Sequence, residues 1–419
     1  MDPLPGAARN ALSRDVRLLF ATRIFRLFAY GLVSVVLVLH LAAAGLSETQ
    51  IGLLLTLTLL GDAAISLWIT TRADRAGRRR MLLLGAMLMI LAGAVFAVTR
   101  SFWLLVLAAT VGVISPSGNE VGPFLAVEQA ALAQAISAGR RTGVFAWYNL
   151  VGSLATAVGS LCGGALADGL QRNGVSALGS YRVLAAGYAL LGIGLAVLFL
   201  RLSPLSEAPR TSEVGATGAR ARFTLGLETS RNKVFKLAAL FTMDSFAGGF
   251  VVQAFVAYWF QRRFGVSPSV LGAIFFGANL LAGLSALTAS WVARRIGLLA
   301  TMVATHIPSN VLLLLVPLMP TLPLAITVLL LRFSISQMDV PTRQAYTMAL
   351  VPAGERSAAA GVTGIARTVG ASLSPLLAGP LYASAALAGI PFLLAGGLKI
   401  VYDLLVWRTF RKVKIEKSA

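Results

Sequence analysis

Cysteine, histidine and acidic residues are all scarce in this chain of 419 residues. It has one cysteine, Cys162, and two histidines. That excludes an intrachain disulfide and leaves no cysteine–histidine cluster with the spacing of a zinc site. No glycine-rich loop of the P-loop type occurs, so direct use of ATP has no support. No nucleophile and base stand out as a pair, and the sequence therefore does not indicate an enzyme.

Charge is also sparse, because charged residues make up 12% of the chain against 57% hydrophobic residues. Soluble domains of ordinary size cannot bury that much apolar surface, so lipid must be the solvent for most of the chain. A net charge of +20 would suggest a nucleic-acid partner in a soluble protein. Here the basic residues form short clusters between long uncharged runs, which is typical of membrane topology signals, and we expect no nucleic-acid partner.

Long uncharged runs recur along the whole chain. A helix needs roughly 20 residues to cross a hydrocarbon core about 30 Å thick. The run 298–331 is too long for one span and contains a proline-bounded turn at residues 319–323. The pattern predicts twelve spans, at residues 20–44, 51–71, 81–99, 102–127, 143–168, 181–201, 234–260, 268–292, 298–318, 322–347, 358–384 and 389–408.

The basic clusters fall on one side of these spans. They precede the first span, follow the second, fourth and eighth, and close the chain. By the positive-inside rule both termini are cytoplasmic. Short loops and the absence of organelle-targeting signals favour a bacterial-type inner (cytoplasmic) membrane.

Residues 202–232 interrupt the hydrophobic pattern with Ser, Pro, Gly and Arg, the composition of a flexible cytoplasmic linker. They divide the chain into an N-terminal six-helix bundle, residues 1–201, and a C-terminal six-helix bundle with a basic tail, residues 233–419. The segment VARRIGLLATM follows the second span of the second half, where the first half has ADRAGRRRMLLLG. Repeats of this kind place a substrate site near the membrane midplane.

The segment TTRADRAGRRR, residues 70–80, resembles the signature loop between helices 2 and 3 of the major facilitator superfamily. Together with the spans, the linker and the repeat, the resemblance covers essentially the whole chain. It implies an all-α integral membrane fold of twelve transmembrane helices in two pseudo-symmetric six-helix bundles. It also implies a carrier that works by alternating access, and we expect a monomer in the lipid bilayer with a small-molecule substrate as its partner.

The resemblance also implies a cytoplasmic gate in this loop. Gly77 permits a tight turn, and Asp74 can accept hydrogen bonds from the N–H groups at a neighbouring helix N-terminus. We expect Asp74 to lock the gate and Glu128 to pair with Arg75 or Arg78. The alternative is that these arginines only fix the topology.

The fifth span is rich in glycine. Gly152, Gly159, Gly163 and Gly164 resemble the glycine-rich antiporter motif of drug efflux members of the superfamily. Small residues let two helices approach closely and slide. The alternative is plain helix packing without any bearing on antiport.

Charges inside the spans are costly unless they are paired or face water, so they are the sharpest functional clues. Lys399 and Asp403 are four residues apart on the last span, and we expect them to form a structural pair. His40 and His306 each stand alone near a membrane face, and we assign them no role. The remaining intramembrane charges are Arg23, Arg26, Asp62, Glu120, Asp244, Arg332, Asp339 and Arg367.

Several of these carboxylates are candidate proton sites. Asp244 lies deep in the seventh span, which lines the central cavity in this family. Glu120 lies between Pro116 and Pro123, and Asp339 lies two residues before Pro341. Carbonyl groups freed by a kink at such prolines can complete a polar pocket. Either these two carboxylates load and release protons, or they pair with nearby arginines and hold helices together.

The arginines support a different hypothesis. Arg26, Arg332 and Arg367 together could form the basic floor of a cavity, because guanidinium groups bind carboxylate or phosphate bidentately. Alternatively, Asp62 and Asp339 neutralise them and leave a balanced network.

The sequence therefore predicts a secondary active transporter, most simply one that exports a small organic molecule in exchange for protons. The proton gradient would supply the energy without any cofactor or metal. An organic-anion carrier or exchanger with an arginine-lined cavity is the alternative. A non-transporting membrane receptor or scaffold is the alternative from another class, although a passive scaffold gains nothing obvious from buried charges.

Overall fold

The computed structural model describes residues 6–120, 122–136, 141–207, 227 and 229–413. Within these ranges the regular structure is helical and no strand occurs. The first eight α-helices are α1 Gly6–Ser34, α2 Leu37–Ala43, α3 Glu48–Ala76, α4 Arg78–Val98, α5 Phe102–Val111, α6 Phe124–Ala135, α7 Arg141–Arg172 and α8 Ala177–Leu200. The others are α9 Arg231–Gly249, α10 Gln253–Phe264, α11 Pro268–Ile296, α12 Leu298–Leu315, α13 Leu322–Ser336, α14 Asp339–Ala349, α15 Arg356–Ala383 and α16 Ile390–Phe410.

These helices are long and apolar enough to cross a bilayer many times. Among the described residues, nine segments pass on length and composition, and the pair α1–α2, bent by 45°, makes a tenth. The broken pair α5–α6 and the 28-residue helix α15 complete twelve. The predicted all-α fold is confirmed.

The fourth predicted span, residues 102–127, is not one helix. Helix α5 ends at Val111 and α6 begins at Phe124, and the backbone between them is irregular. Pro116 and Pro123 cannot donate to a helical hydrogen bond, and Gly118 has a φ of 70°, outside the helical region. Glu120 therefore lies in a break between helices. Irregular backbone at membrane depth is tolerated only where protein or a water-filled cavity surrounds it.

The chain forms two compact units. Unit 1 comprises Met1–Ala208, Val251–Gly283 and Pro375–Ala388. Inside it α1 packs along α7, and α4 packs along α8. At the start of α3, Glu48 Oε1 accepts hydrogen bonds from Tyr258 Oη at 2.8 Å and from Arg262 Nη1 at 2.9 Å. This interaction ties α3 to α10 within unit 1.

The contact between α1 and α7 depends on glycine. A Cβ added at Gly159 or Gly163 would overlap the carbonyl oxygens of Phe28 and Leu32 on α1. A Cβ at Gly152 would lie 2.7 Å from Arg23 Nε. The fourth glycine, Gly164, faces the backbone of Pro268 and Gly272 at the start of α11. Cys162, on the same helix, is exposed.

Unit 2 comprises Pro209–Phe250, Leu284–Ser374 and Gly389–Ala419. Helix α16 packs against both α9 and α12. An apolar core at one end of this unit is built from buried residues that include Val234, Phe241, Met302, Tyr346, Val406 and Phe410. This core packs α9, α12, α14 and α16 together, and the same four helices carry ionisable residues of the unit.

Candidate functional site: two buried charge clusters

Unit 1 contains a buried cluster centred on Arg26. Its side chain is 0% exposed, and its guanidinium bridges two carboxylates. Nε donates to Glu120 Oε1 at 2.8 Å, while Nη1 and Nη2 donate to the two oxygens of Glu128 at 2.8 and 2.7 Å. Such a bidentate pair fixes both the distance and the plane of the partners.

Further side chains complete this cluster. Arg23, one turn before Arg26 on α1, forms an ion pair with Glu120, and its guanidinium lies 4.7 Å from the centre of the Tyr148 ring. Glu128 also accepts hydrogen bonds from the hydroxyls of Tyr148 and Thr22. Glu120 thus pairs with arginines, as one of the two hypotheses for this residue expects.

The expected pairing of Glu128 with Arg75 or Arg78 is wrong, because Arg26 and Tyr148 occupy its carboxylate. Arg78 instead donates through Nε to Asp74 at 2.8 Å and through Nη1 to Gln134 at 2.9 Å. Arg75 is exposed.

The loop between α3 and α4 turns at Gly77, whose φ is 102°. The N–H groups at the start of α4 are held by Glu207, not by Asp74 as expected. Glu207 accepts from the backbone nitrogens of Arg78 and Arg79 at 2.6 and 3.1 Å. A carboxylate at this position compensates the positive end of the helix dipole. Asp74 has a 68% exposed side chain.

Asp62 lies apart from these pairs. It is on α3, is partly buried, and interacts with the backbone N–H of Gly122 in the break between α5 and α6. Among the described residues it takes part in no ion pair. Glu120 lies close enough to repel it electrostatically.

Unit 2 contains a second buried cluster, centred on Asp244 of α9. Lys399 Nζ of α16 lies 2.5 Å from Asp244 Oδ1, and Arg343 Nη1 of α14 lies 2.9 Å from Oδ2. The same nitrogen of Arg343 lies 3.0 Å from Asp339 Oδ2. His306 Nε2 of α12 approaches Asp244 Oδ1 at 3.8 Å.

His306 also contacts Asp403. Its Nδ1 lies 2.9 Å from Asp403 Oδ1, and Asn310 donates to Oδ2 at 3.3 Å. His306 therefore does not stand alone as expected, since its ring lies between two buried carboxylates. The expected pair of Lys399 with Asp403 is also wrong, because each has a closer partner on another helix.

Arg343 is absent from the residues predicted from the sequence. The spacing of Asp339 and Arg343, four residues apart, was the signal that could have revealed the pair. The predicted span 322–347 places Arg343 four residues from the cytoplasmic end of the span, where basic residues are common.

The three arginines of the predicted cavity floor belong to different units, Arg26 to unit 1 and Arg332 and Arg367 to unit 2. Arg26 is saturated by Glu120 and Glu128 in unit 1. In unit 2, Arg367 donates through Nε to Ser245 Oγ at 3.2 Å, and Arg332 lies over the ring of Phe333 at 4.9 Å. Neither Arg367 nor Arg332 takes part in an ion pair among the described residues.

Metal binding has no support in the described part of the chain. No group of three or more His, Cys, Asp or Glu side chains there is arranged to hold an ion. The chemistry available to both clusters is ion pairing, hydrogen bonding and proton transfer.

Comparison with known proteins decides the family. The family model described as Major Facilitator Superfamily matches residues 19–375. The chain belongs to the major facilitator superfamily. An uncharacterized membrane protein of Saccharomyces cerevisiae is 33% identical to it over 433 residues, covering 97% of this chain and 96% of that protein.

Solved structures of the major facilitator superfamily share the fold. A bacterial homologue of the human lysosomal transporter Spinster, inward-facing and occupied, has a TM-score of 0.72 at 16% identity and covers 97% of this chain and 99% of its own. The inward-open xylose transporter XylE from E. coli has a TM-score of 0.71 at 13% identity. The match covers 96% of this chain and 97% of XylE. This chain is thus a multi-pass membrane protein of a transporter superfamily.

Proposed function

We propose that this chain exports a small organic molecule in exchange for protons, by alternating access of its two halves, with Asp62 as the proton-coupling carboxylate. The observation that carries the proposal is the isolation of Asp62 from every cation of the described ion pairs.

The other candidate carboxylates are poorly suited to take up a proton. Glu120, Glu128, Asp244 and Asp339 each have a cation within 3.0 Å. Protonating any of them would remove a negative charge that a buried cation pairs with, which is unfavourable. Asp62 has no cationic partner in the described ion pairs, so a proton can neutralise its charge without leaving a cation unpaired.

The charge balance of unit 1 supports the same assignment. Arg23 and Arg26 compensate Glu120 and Glu128, and Asp62 remains as one uncompensated negative charge beside Glu120. Burial without a counterion disfavours the ionised form of a carboxylate. Access to water from one membrane face or the other would then decide whether Asp62 holds its proton.

Two features support export and gating. The glycines at 152, 159, 163 and 164 resemble the antiporter motif, and two of them, Gly159 and Gly163, let α7 lie directly on the backbone of α1. In the predicted orientation the Asp74–Arg78 loop is cytoplasmic and the Glu48–Arg262 pair lies at the opposite face. We propose these two ion pairs as parts of the gates that alternate during transport.

The test uses purified protein in liposomes that enclose a pH-sensitive dye. Compounds that raise the melting temperature in detergent are added, and their movement and that of protons are measured together. We expect opposite movement of compound and proton in the wild type. The variant Asp62→Asn should lose the proton movement but keep exchange of compound at equal concentrations on both sides.

The variant Asp168→Asn is the matched control, since Asp168 pairs with the exposed Arg172 at one end of α7. It should behave as the wild type. Movement of protons and compound in the same direction would overturn the proposed exchange of compound for protons. Unchanged proton coupling in Asp62→Asn would overturn the role of Asp62.

A further inference from the structure

The membrane helices of unit 2 hold more positive than negative charge. Among the buried or partly buried charges of these helices, the carboxylates are Asp244, Asp339 and Asp403, and the cations are Arg332, Arg343, Arg367 and Lys399. The exposed Arg and Lys residues towards the helix ends are not counted. Neutral His306 leaves one cation in excess, and protonated His306 would leave two. Excess charge at membrane depth is costly unless it faces water or meets a counterion.

The excess is located at the two arginines outside the ion pairs. Asp244 and Asp339 are already contacted by Arg343 and Lys399 at 2.5–3.0 Å. Arg367 lies within electrostatic range of Asp244 and Asp339, yet its only described hydrogen bond joins Nε to Ser245. Both terminal nitrogens of its guanidinium therefore remain available as donors.

Arg367 is partly exposed although it lies in the middle of α15. A guanidinium does not face hydrocarbon at such a position, so the exposed part must face a water-filled space. The fork of a guanidinium matches a carboxylate or phosphate group with two parallel hydrogen bonds. One edge of Arg367 is fixed by Ser245, which orients the opposite edge for a ligand.

Arg332 has the same character. It is partly exposed on α13, its Nε is buried without a hydrogen-bond partner, and the ring of Phe333 lies beneath its guanidinium. A stacked guanidinium keeps its in-plane donors available for an anion.

We propose that the transported molecule is a small organic anion, a carboxylate or phosphate ester, which binds to Arg367 of unit 2. This assignment deepens the proposed proton-coupled export and rests on it for the statement that the bound anion is transported. The inference that an anion binds is argued independently, from the excess of positive charge in unit 2.

The test measures binding separately from transport. The melting temperature of the purified protein in detergent is recorded with benzoate and phenyl phosphate, with the neutral benzamide, and with the cationic benzylamine, and then with larger carboxylates and sugar phosphates. We expect stabilisation by anions and none by their neutral or cationic counterparts. In Arg367→Gln the apparent affinity should fall roughly ten- to hundred-fold, the effect of losing a charge-assisted hydrogen bond.

Two matched variants keep the result interpretable. Arg367→Lys retains the charge without the fork and should recover only part of the affinity. Arg408→Gln removes an exposed arginine from α16 of the same unit and should bind anions as the wild type does. The melting temperature of each variant without any anion shows whether it is folded.

Each result has a defined consequence. Equal stabilisation by benzamide or benzylamine, equal loss in Arg408→Gln, or no stabilisation by any anion would overturn the anion site. Stabilisation by lysophosphatidic acid alone would identify a lipid headgroup as the ligand and overturn the substrate assignment. Anion binding that depends on Arg367, together with no proton-coupled flux in liposomes, would overturn the proposed function and leave the anion site standing.

Discussion

Lys399 Nζ lies 2.5 Å from Asp244 Oδ1, and this ion pair joins α16 to α9 inside unit 2. Arg343 contacts the other oxygen of the same carboxylate at 2.9 Å. Asp244 is therefore the acceptor on which two buried cations depend. Removing a shared acceptor costs more than removing one of its donors, because more buried charge is left without a partner.

The variant Asp244→Asn should be strongly destabilised, by about 3–5 kcal/mol, the range for breaking a buried ion pair. Lys399→Met should cost less, since Arg343 remains with Asp244. The double variant should be more stable than Asp244→Asn alone. Thermal unfolding in detergent measures all three, and a double variant less stable than Asp244→Asn would contradict the pairing.

The control is Asp168→Asn, whose partner Arg172 has a 74% exposed side chain. This variant should lose less than about 1 kcal/mol of stability.

A second prediction concerns Arg26. The variant Arg26→Gln should fold poorly, because Glu120 and Glu128 would lose the guanidinium that bridges them. Arg26→Lys should not rescue it, since a single ammonium cannot reproduce the bidentate geometry. Yield of monodisperse protein and melting temperature are the measurements. Arg75→Gln, at an exposed position, is the control and should be indistinguishable from the wild type.

His306 and Asp403 should be energetically coupled. A double-mutant cycle with His306→Ala and Asp403→Ala isolates their interaction, which we expect to be about 1–3 kcal/mol for a buried hydrogen bond to a carboxylate. The partners are 2.9 Å apart and on different helices. A coupling energy near zero would mean that the contact does not stabilise unit 2. His306→Asn tests whether any N–H donor at this position is sufficient.

The glycines of α7 give a fourth prediction. Gly159→Ala and Gly163→Ala should each force α7 away from α1, because the new methyl group would overlap a backbone carbonyl that cannot move independently. Overpacking of this kind typically costs about 1–3 kcal/mol. Gly169→Ala, on the same helix with no atom near the added Cβ, should instead stabilise by about 0.4–1 kcal/mol. Loss of stability in Gly169→Ala equal to that in Gly159→Ala would rule out the steric explanation.

The number of spans could be predicted from hydropathy, but the breaks inside them could not. Pro116 and Pro123 flank an irregular segment, whereas Pro308, Pro375 and Pro380 lie inside continuous helices. A proline frees a backbone carbonyl wherever it occurs. Whether the helix then breaks depends on neighbouring groups that satisfy this carbonyl, and those come from distant parts of the chain.

The same limit applies to the charged residues. The residue types and their depth were readable, and so was the Asp74–Arg78 spacing. The partner of Glu128 was not, because Arg26 is 102 residues away and only packing brings the two together. Lys399 and Asp403 had the spacing of a helical pair, but buried partners on other helices compete successfully with a neighbour on the same helix. Local spacing is thus a weak guide to pairing where several charges meet in one buried cluster.

Cys162 gives this chain a practical property for spectroscopy. It is the only thiol in the sequence and is exposed on α7, close to the glycines that contact α1. Any maleimide fluorophore or spin label that reacts with the native protein therefore reports from a single known position, without prior removal of other cysteines. Changes in the environment of α7 can then be followed in the unmodified sequence, and a second cysteine introduced elsewhere completes a distance pair with one substitution instead of two.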